Sequence, residues 1–165
     1  MLENLHAKQM VTKDLSVLLN APQEKLSEAV ASLLEQNKAQ VKYLKEAQQK
    51  LLLLEASELA GQKEVIQNKV VIRKIFANRT MSELQTVARA LVSMDASFNM
   101  VLISETDNKL QFVLARGAES PLNMKDIASE ILPAINGKGG GNPSFAQGGG
   151  EGSANELMEK IVSLL

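Results

Sequence analysis

The sequence has no cysteine and no tryptophan, and only one histidine and one tyrosine among its 165 residues. Without thiols, disulfides and thiolate metal sites are excluded, a composition that fits a reducing compartment. The lone His6 sits in the N-terminal stretch, away from any cluster of carboxylates. One histidine cannot build a zinc site of known spacing, so His6 reads as an ordinary surface residue. No cofactor is implied. Long apolar runs are missing as well: MLENLHAKQM carries Glu3, and Leu51 to Leu54 is far too short to span a bilayer. A cytoplasmic protein without a membrane partner is expected. Charge of one sign is also lacking, with nine basic and nine acidic residues in 1–69 and nine and ten in 70–165. A strong, sequence-blind polyanion binder carries an excess of Lys and Arg to displace counterions. Any nucleic-acid contact must therefore be local and shape-directed.

What is present divides in two. Leu, Ala, Glu, Lys and Gln crowd the first half, a bias of long helices, and the 45% apolar content suffices for a core. A short helix is expected through Thr12 to Leu19, closed by Asn20-Ala21-Pro22, with Pro22 starting the next. That second helix repeats apolar residues at Leu26, Val30, Leu33, Val41, Leu44, Ala47, Leu51 and Leu54, near the spacing of a coiled-coil seam, and runs to about Gly61. At 1.5 Å per residue it makes a rod on the order of 55 Å. Asn37 and Gln40 interrupt the seam; they either fix register in a helix pair or mark a solvated break. Residues 1–61 thus read as a helical stalk and 62–165 as a globular domain.

In the second part Val70 to Phe76 is β-branched between Asn68 and Asn78, a strand. Thr80-Met81-Ser82-Glu83 is a capping box opening a helix with Leu84, Val87, Leu91 and Met94 on one face. Asn99 to Glu105, the turn Asp107-Asn108, and Leu110 to Arg116 form a hairpin that buries Val101, Ile103, Phe112 and Leu114. A helix from Asn123 presents Ile127, Ile131 and Leu132 before Pro133 ends or kinks it. Ser153 and Glu156 signal a last helix with Leu157, Ile161 and Leu164. The fold class is α+β, a long coiled-coil-like N-terminal helix followed by a small mixed α/β domain.

Between the last two helices lies GKGGGNPSFAQGGGEG (137–152), with eight of the ten glycines. Such density implies disorder or a backbone that only glycine can follow. Asn142-Pro143 as a turn and Phe145-Ala146 as apolar anchorage favour an ordered binding loop, with a short strand at Ser144 to Gln147. No P-loop is spelled, since no Ser or Thr follows Lys138, and no dinucleotide fingerprint opens a helix. What remains is a backbone surface. The amides of Gly139, Gly140, Gly141, Gly148 and Gly149 can approach phosphate or sugar, Lys138 adds charge, and Asn142, Pro143 and Gln147 shape the edges. Phe145 either stacks on an exposed base or anchors the loop; Asn142 and Gln147 either contact a ligand or bond their own backbone.

The run Asn136 to Gly150 resembles the GGKGGGRPxxAQxGG signature that ends alanyl-tRNA synthetases and the long form of alanyl-tRNA editing proteins. Upstream, Leu18 to Leu26 followed by a long Glu/Lys/Leu helix is similar to the segment leading from the editing domain into that C-terminal region. The resemblance implies a DHH-associated nucleic-acid-binding domain on a helical stalk, with tRNA(Ala) or another nucleic acid as partner and homodimerisation through stalk or globular domain. Two positions depart from the signature, Asn136 for Gly and Asn142 for Arg, which removes a cation and leans toward the editing protein as parent. The HxxxH and CxxxH editing motifs and a DHH motif are absent, so the resemblance implies a non-catalytic C-terminal fragment of a mischarged-alanyl-tRNA deacylase or a synthetase. The rival readings are a substrate-binding domain of a DHH-type phosphoesterase and a purely structural coiled-coil dimeriser.

Overall fold

The computed structural model describes residues 1–165 and has the expected α+β class. Its chain separates into two compact units, Met1–Gln48 and Gln49–Leu165. In the first, helix α1 (Leu2–Leu18) begins ten residues earlier than the expected start at Thr12. It stops where Asn20 takes the left-handed conformation (φ 48°) and the Ser16 hydroxyl donates to the Ala21 carbonyl. Pro22 then caps a 3-10 turn, Gln23–Lys25, that leads into α2 (Leu26–Gly61). No residue of α1 is buried, and Val30, Leu33, Val41 and Leu44 of α2 are exposed. Asn37 and Gln40 are exposed too.

The residues of α2 that are buried are Leu52, Ala56 and Leu59, not the seam positions Leu51 and Leu54. Spacing of four and three places these three on one stripe of the helix. They join Ile72, Phe76, Leu84, Leu91 and Leu102 in one apolar cluster, so packing within the second unit selects that stripe over the heptad one.

The second unit is built on a six-stranded sheet in the order β1-β2-β3-β4-β6-β5. Strands β1 (Glu64–Ile66) and β2 (Lys69–Ala77) form a hairpin whose two-residue turn, Gln67-Asn68, has both φ angles positive. Asp107 and Asn108 do the same between β3 (Asn99–Thr106) and β4 (Lys109–Arg116). Turns with both central residues left-handed match the twist of the strands they join, and Asn and Asp tolerate that conformation. Helix α3 (Met81–Met94) carries the chain from β2 to the parallel β3; every other pairing is antiparallel.

Both faces of the sheet are covered. Val101, Ile103, Phe112 and Leu114, paired across β3 and β4, face α4 (Met124–Ile131), the 3-10 turn Leu132–Ile135 and α5 (Ala154–Ser163). On the other face Met100, Leu102, Val113 and Ala115 meet α3 and the last turns of α2. Double coverage explains the unbroken burial of β3 from Asn99 to Ser104.

The helix signals are met in part. Thr80 accepts from the Glu83 amide at 3.3 Å, but the Glu83 carboxylate bonds the Arg79 guanidinium rather than closing the box. Met94, expected on the buried face, is exposed because α3 ends at the next residue. Arg79 also holds both carboxylate oxygens of Glu55 at 2.9 Å and stacks over Phe76, fastening the end of α2 to the start of α3.

Candidate nucleic-acid interface

The glycine run is not a loop. It forms two antiparallel strands, β5 (Lys138–Asn142) and β6 (Phe145–Glu151), at the border of the sheet. β5 is the edge. Side chains at the tip explain the turn: the Asn142 carboxamide oxygen accepts from the amides of Ser144 (2.9 Å) and Phe145 (3.0 Å). The Pro143 carbonyl accepts from the Met124 amide and from Arg116 Nε, pinning the tip to α4 and β4.

Close approach explains why glycine can sit in these strands, where it ordinarily weakens pairing. Gly148 lies directly opposite Phe112 of β4, and a Cβ there would stand 2.9 Å from the Phe112 ring and from the Lys138 carbonyl. An aromatic ring laid over a cross-strand glycine supplies the burial that the glycine lacks. A Cβ on Gly139 would run into the Gln147 carbonyl and Gly148 Cα. Gly140 differs: its Cβ would meet nothing within 4 Å.

That open side faces a groove. Residues opposite one another in antiparallel strands share a face, so Gly140 lies beside Gln147, and Lys138 beside Gly149. The groove, about 700 Å³, has the glycines of β5 and β6 as its floor and Met81, Gln85 and Arg89 of α3 as a wall. Those three positions, four apart, form one ridge of the helix beside the buried stripe of Leu84, Val87 and Leu91, and Met81 packs partly against that cluster. Gln85 Nε2 donates to Gln147 Oε1 at 2.5 Å and so ties wall to floor. Two cations, Lys138 and Arg89, line the groove and no carboxylate does. A separate depression between β2 and α5 has mixed lining, with Arg73 and Lys74 beside Glu159.

Of the ten residues singled out in the sequence, eight line the groove: Lys138, Gly139, Gly140, Gly141, Phe145, Gln147, Gly148 and Gly149. Asn142 and Pro143 do not; they build the turn. Phe145 is half-buried against the α3 cluster while one side borders the groove, so it is mainly the anchor. Gln147 bonds Gln85 rather than its own backbone. Met81, Gln85 and Arg89 were not legible as site residues, because only the β4–β6 pairing brings the glycine strands under α3. The described residues hold no cluster of acidic or histidine side chains able to bind a metal ion. No helix is long and apolar enough to cross a membrane.

Residues 67–165 match the DHHA1 domain family. In sequence the chain is 31% identical over 153 residues to an alanine–tRNA ligase of Methanococcus maripaludis, a match covering 92% of this chain and 16% of that protein. It is 30% identical over 135 residues to the alanine–tRNA ligase of Saccharophagus degradans, covering 81% and 15%. The chain thus spans about one sixth of the length of the curated relatives it matches. In structure it is similar to the C-Ala domain of Aquifex aeolicus alanyl-tRNA synthetase, with a TM-score of 0.58, 23% identity, and coverage of 62% of this chain and 96% of that one. The chain belongs to the DHHA1 domain family and is homologous to the C-terminal domain of alanyl-tRNA synthetase.

Proposed function

We propose that this chain is a non-catalytic module that binds tRNA(Ala) through the glycine groove, for an alanyl-tRNA synthetase or an alanyl-tRNA editing protein. The observation that carries the reading is the groove's lining: bare backbone flanked by two cations, without a carboxylate, in a chain of net charge −1. The glycine stretches of the floor let a sugar-phosphate backbone come within reach of the sheet, and two cations without a neighbouring carboxylate localise a polyanion. Similarity to alanine–tRNA ligases supports tRNA as the polyanion. The site residues in this reading are Lys138, Gly139, Gly140, Gly141, Gly148 and Gly149, with Phe145 and Gln147 holding the floor. Titration of the full chain with tRNA(Ala) at rising salt tests it. Binding that weakens steeply with salt, and that Lys138→Gln makes weaker with a shallower salt slope, is expected; absence of binding at low ionic strength contradicts it.

The exposed apolar residues of the first unit favour a second role, self-association. Val30, Leu33, Val41 and Leu44 of α2 are 40–65% exposed at near-heptad spacing, and such a seam is satisfied by a facing helix of a second copy. Sedimentation equilibrium of the full chain and of Val41→Glu with Leu44→Glu tests this. A dimer that the double change dissociates is expected; a monomer at all concentrations refutes it.

A further inference from the structure

Resting on the polynucleotide reading of the groove, we infer that Arg89 is a phosphate-gripping residue of this site, reaching from helix α3 over the glycine floor. The chain has four arginines. Three are committed to the fold: Arg73 pairs with Glu64, Arg79 holds Glu55 and Glu83, and Arg116 donates to the carbonyls of Pro143, Gly117 and Ser120. Arg89 makes no ion pair or side-chain hydrogen bond and is exposed.

The one acid of its own helix, Glu83, pairs with Arg79. The positions where a helical arginine ordinarily finds a carboxylate, three and four residues away, are Gln85, Thr86, Val92 and Ser93. Thr86 and Ser93 bond carbonyls of their own helix, and Gln85 is bonded to Gln147 on the groove floor. That bond holds α3 against β6 and sets Arg89 one helical turn, about 6 Å, farther along the same wall. Lys138 lines the groove too, so the floor beside Gly140 is bordered by two unneutralised cations.

Chemistry separates the roles of these cations. A guanidinium presents its donors in a planar fork that fits two oxygens of one phosphate, whereas a lysine ammonium acts as a point charge. Gly140 has open space where a Cβ would stand, so no packing demand accounts for its bareness. A phosphodiester lying over Gly140 accounts for that bareness and for an arginine held without a protein partner.

The test uses the full chain, fluorescently labelled tRNA(Ala), and a salt series, with wild type, Arg89→Gln, Arg89→Lys, Lys138→Gln and Lys125→Gln compared. Lys125 is an exposed residue of α4, packed on the other face of the sheet. Arg89→Gln is expected to weaken binding about tenfold and to lower the slope of log K against log salt by roughly 0.7–0.9, the loss of one phosphate contact. Arg89→Lys keeps the slope but not the full affinity, and Lys125→Gln changes neither. If Lys138→Gln weakens binding while Arg89→Gln matches Lys125→Gln, the role of Arg89 is overturned and the groove reading stands. If wild type fails to bind tRNA, both fall. Inorganic phosphate or a mononucleotide binding as tightly as tRNA overturns the polynucleotide assignment.

Discussion

Two glycines of the same hairpin should respond in opposite ways to the same added methyl group. At Gly140 a Cβ meets open space, and the backbone φ is not positive, so alanine fits the existing conformation. Removing the excess freedom of an unfolded glycine stabilises a compatible site by about 0.4–1 kcal/mol. At Gly148 the Cβ arrives 2.9 Å from the Phe112 ring and the Lys138 carbonyl, both of them buried or part of the sheet backbone. Overpacking of this kind costs typically ~1–3 kcal/mol. At roughly 2–8 °C per kcal/mol for domains in this size range, thermal unfolding should rise by a few degrees for Gly140→Ala and fall by several for Gly148→Ala. Binding moves differently. Both variants lose tRNA affinity, Gly140→Ala because the methyl occupies the floor, and there the loss accompanies a gain in stability. Scanning calorimetry with tRNA titration reads both quantities. Gly140→Ala that destabilises, or that leaves affinity unchanged, refutes the division of the glycines into packed and ligand-facing.

Three further outcomes follow from the packing. Leu84→Ala, at a fully buried position between α3 and Phe76, should cost ~2–5 kcal/mol in denaturant unfolding and weaken tRNA binding by loosening the groove wall. Gln85→Ala removes the bond to Gln147 and should cost about 0.5–1.5 kcal/mol, read in the same assay. Asp95, which ends α3, has its carboxyl held below the ordinary value of 3.8, chiefly by the Ser97 hydroxyl and then by the Ser97 amide. A depressed carboxylate contributes stability that is present above its unfolded pKa and lost as the pH falls through the folded one. Asp95→Asn should therefore flatten the loss of stability below about pH 4, as followed by acid unfolding.

How much the sequence revealed depends on the range over which each feature is decided. The Asp107-Asn108 turn, the Thr80 cap and the apolar pairs of β3 and β4 are local or period-two signals, and the structure has each of them. The short β1 escaped because Glu64-Val65-Ile66 is only three residues long and depends on pairing with β2. The buried stripe of α2 was misread for a related reason: Leu51, Leu52, Leu53 and Leu54 offer every face of the helix, and only tertiary packing chooses among them. Glycine carries no strand preference of its own, so the β5–β6 pair is imposed by Phe112 and by the Asn142 turn. The composition marked the floor of the site. Its wall, Arg89 above all, sits some fifty residues earlier in the chain and becomes visible only once β6 is paired with β4.

Amide chemical shifts of the glycine strands during titration with tRNA(Ala) test the central claim most directly. Shifts concentrated at Gly139, Gly140, Gly141, Gly148 and Gly149, with those of α4 and α5 unmoved, are the predicted result. Saturable tRNA binding that leaves these five amides unperturbed contradicts the assignment of the groove as the polynucleotide site.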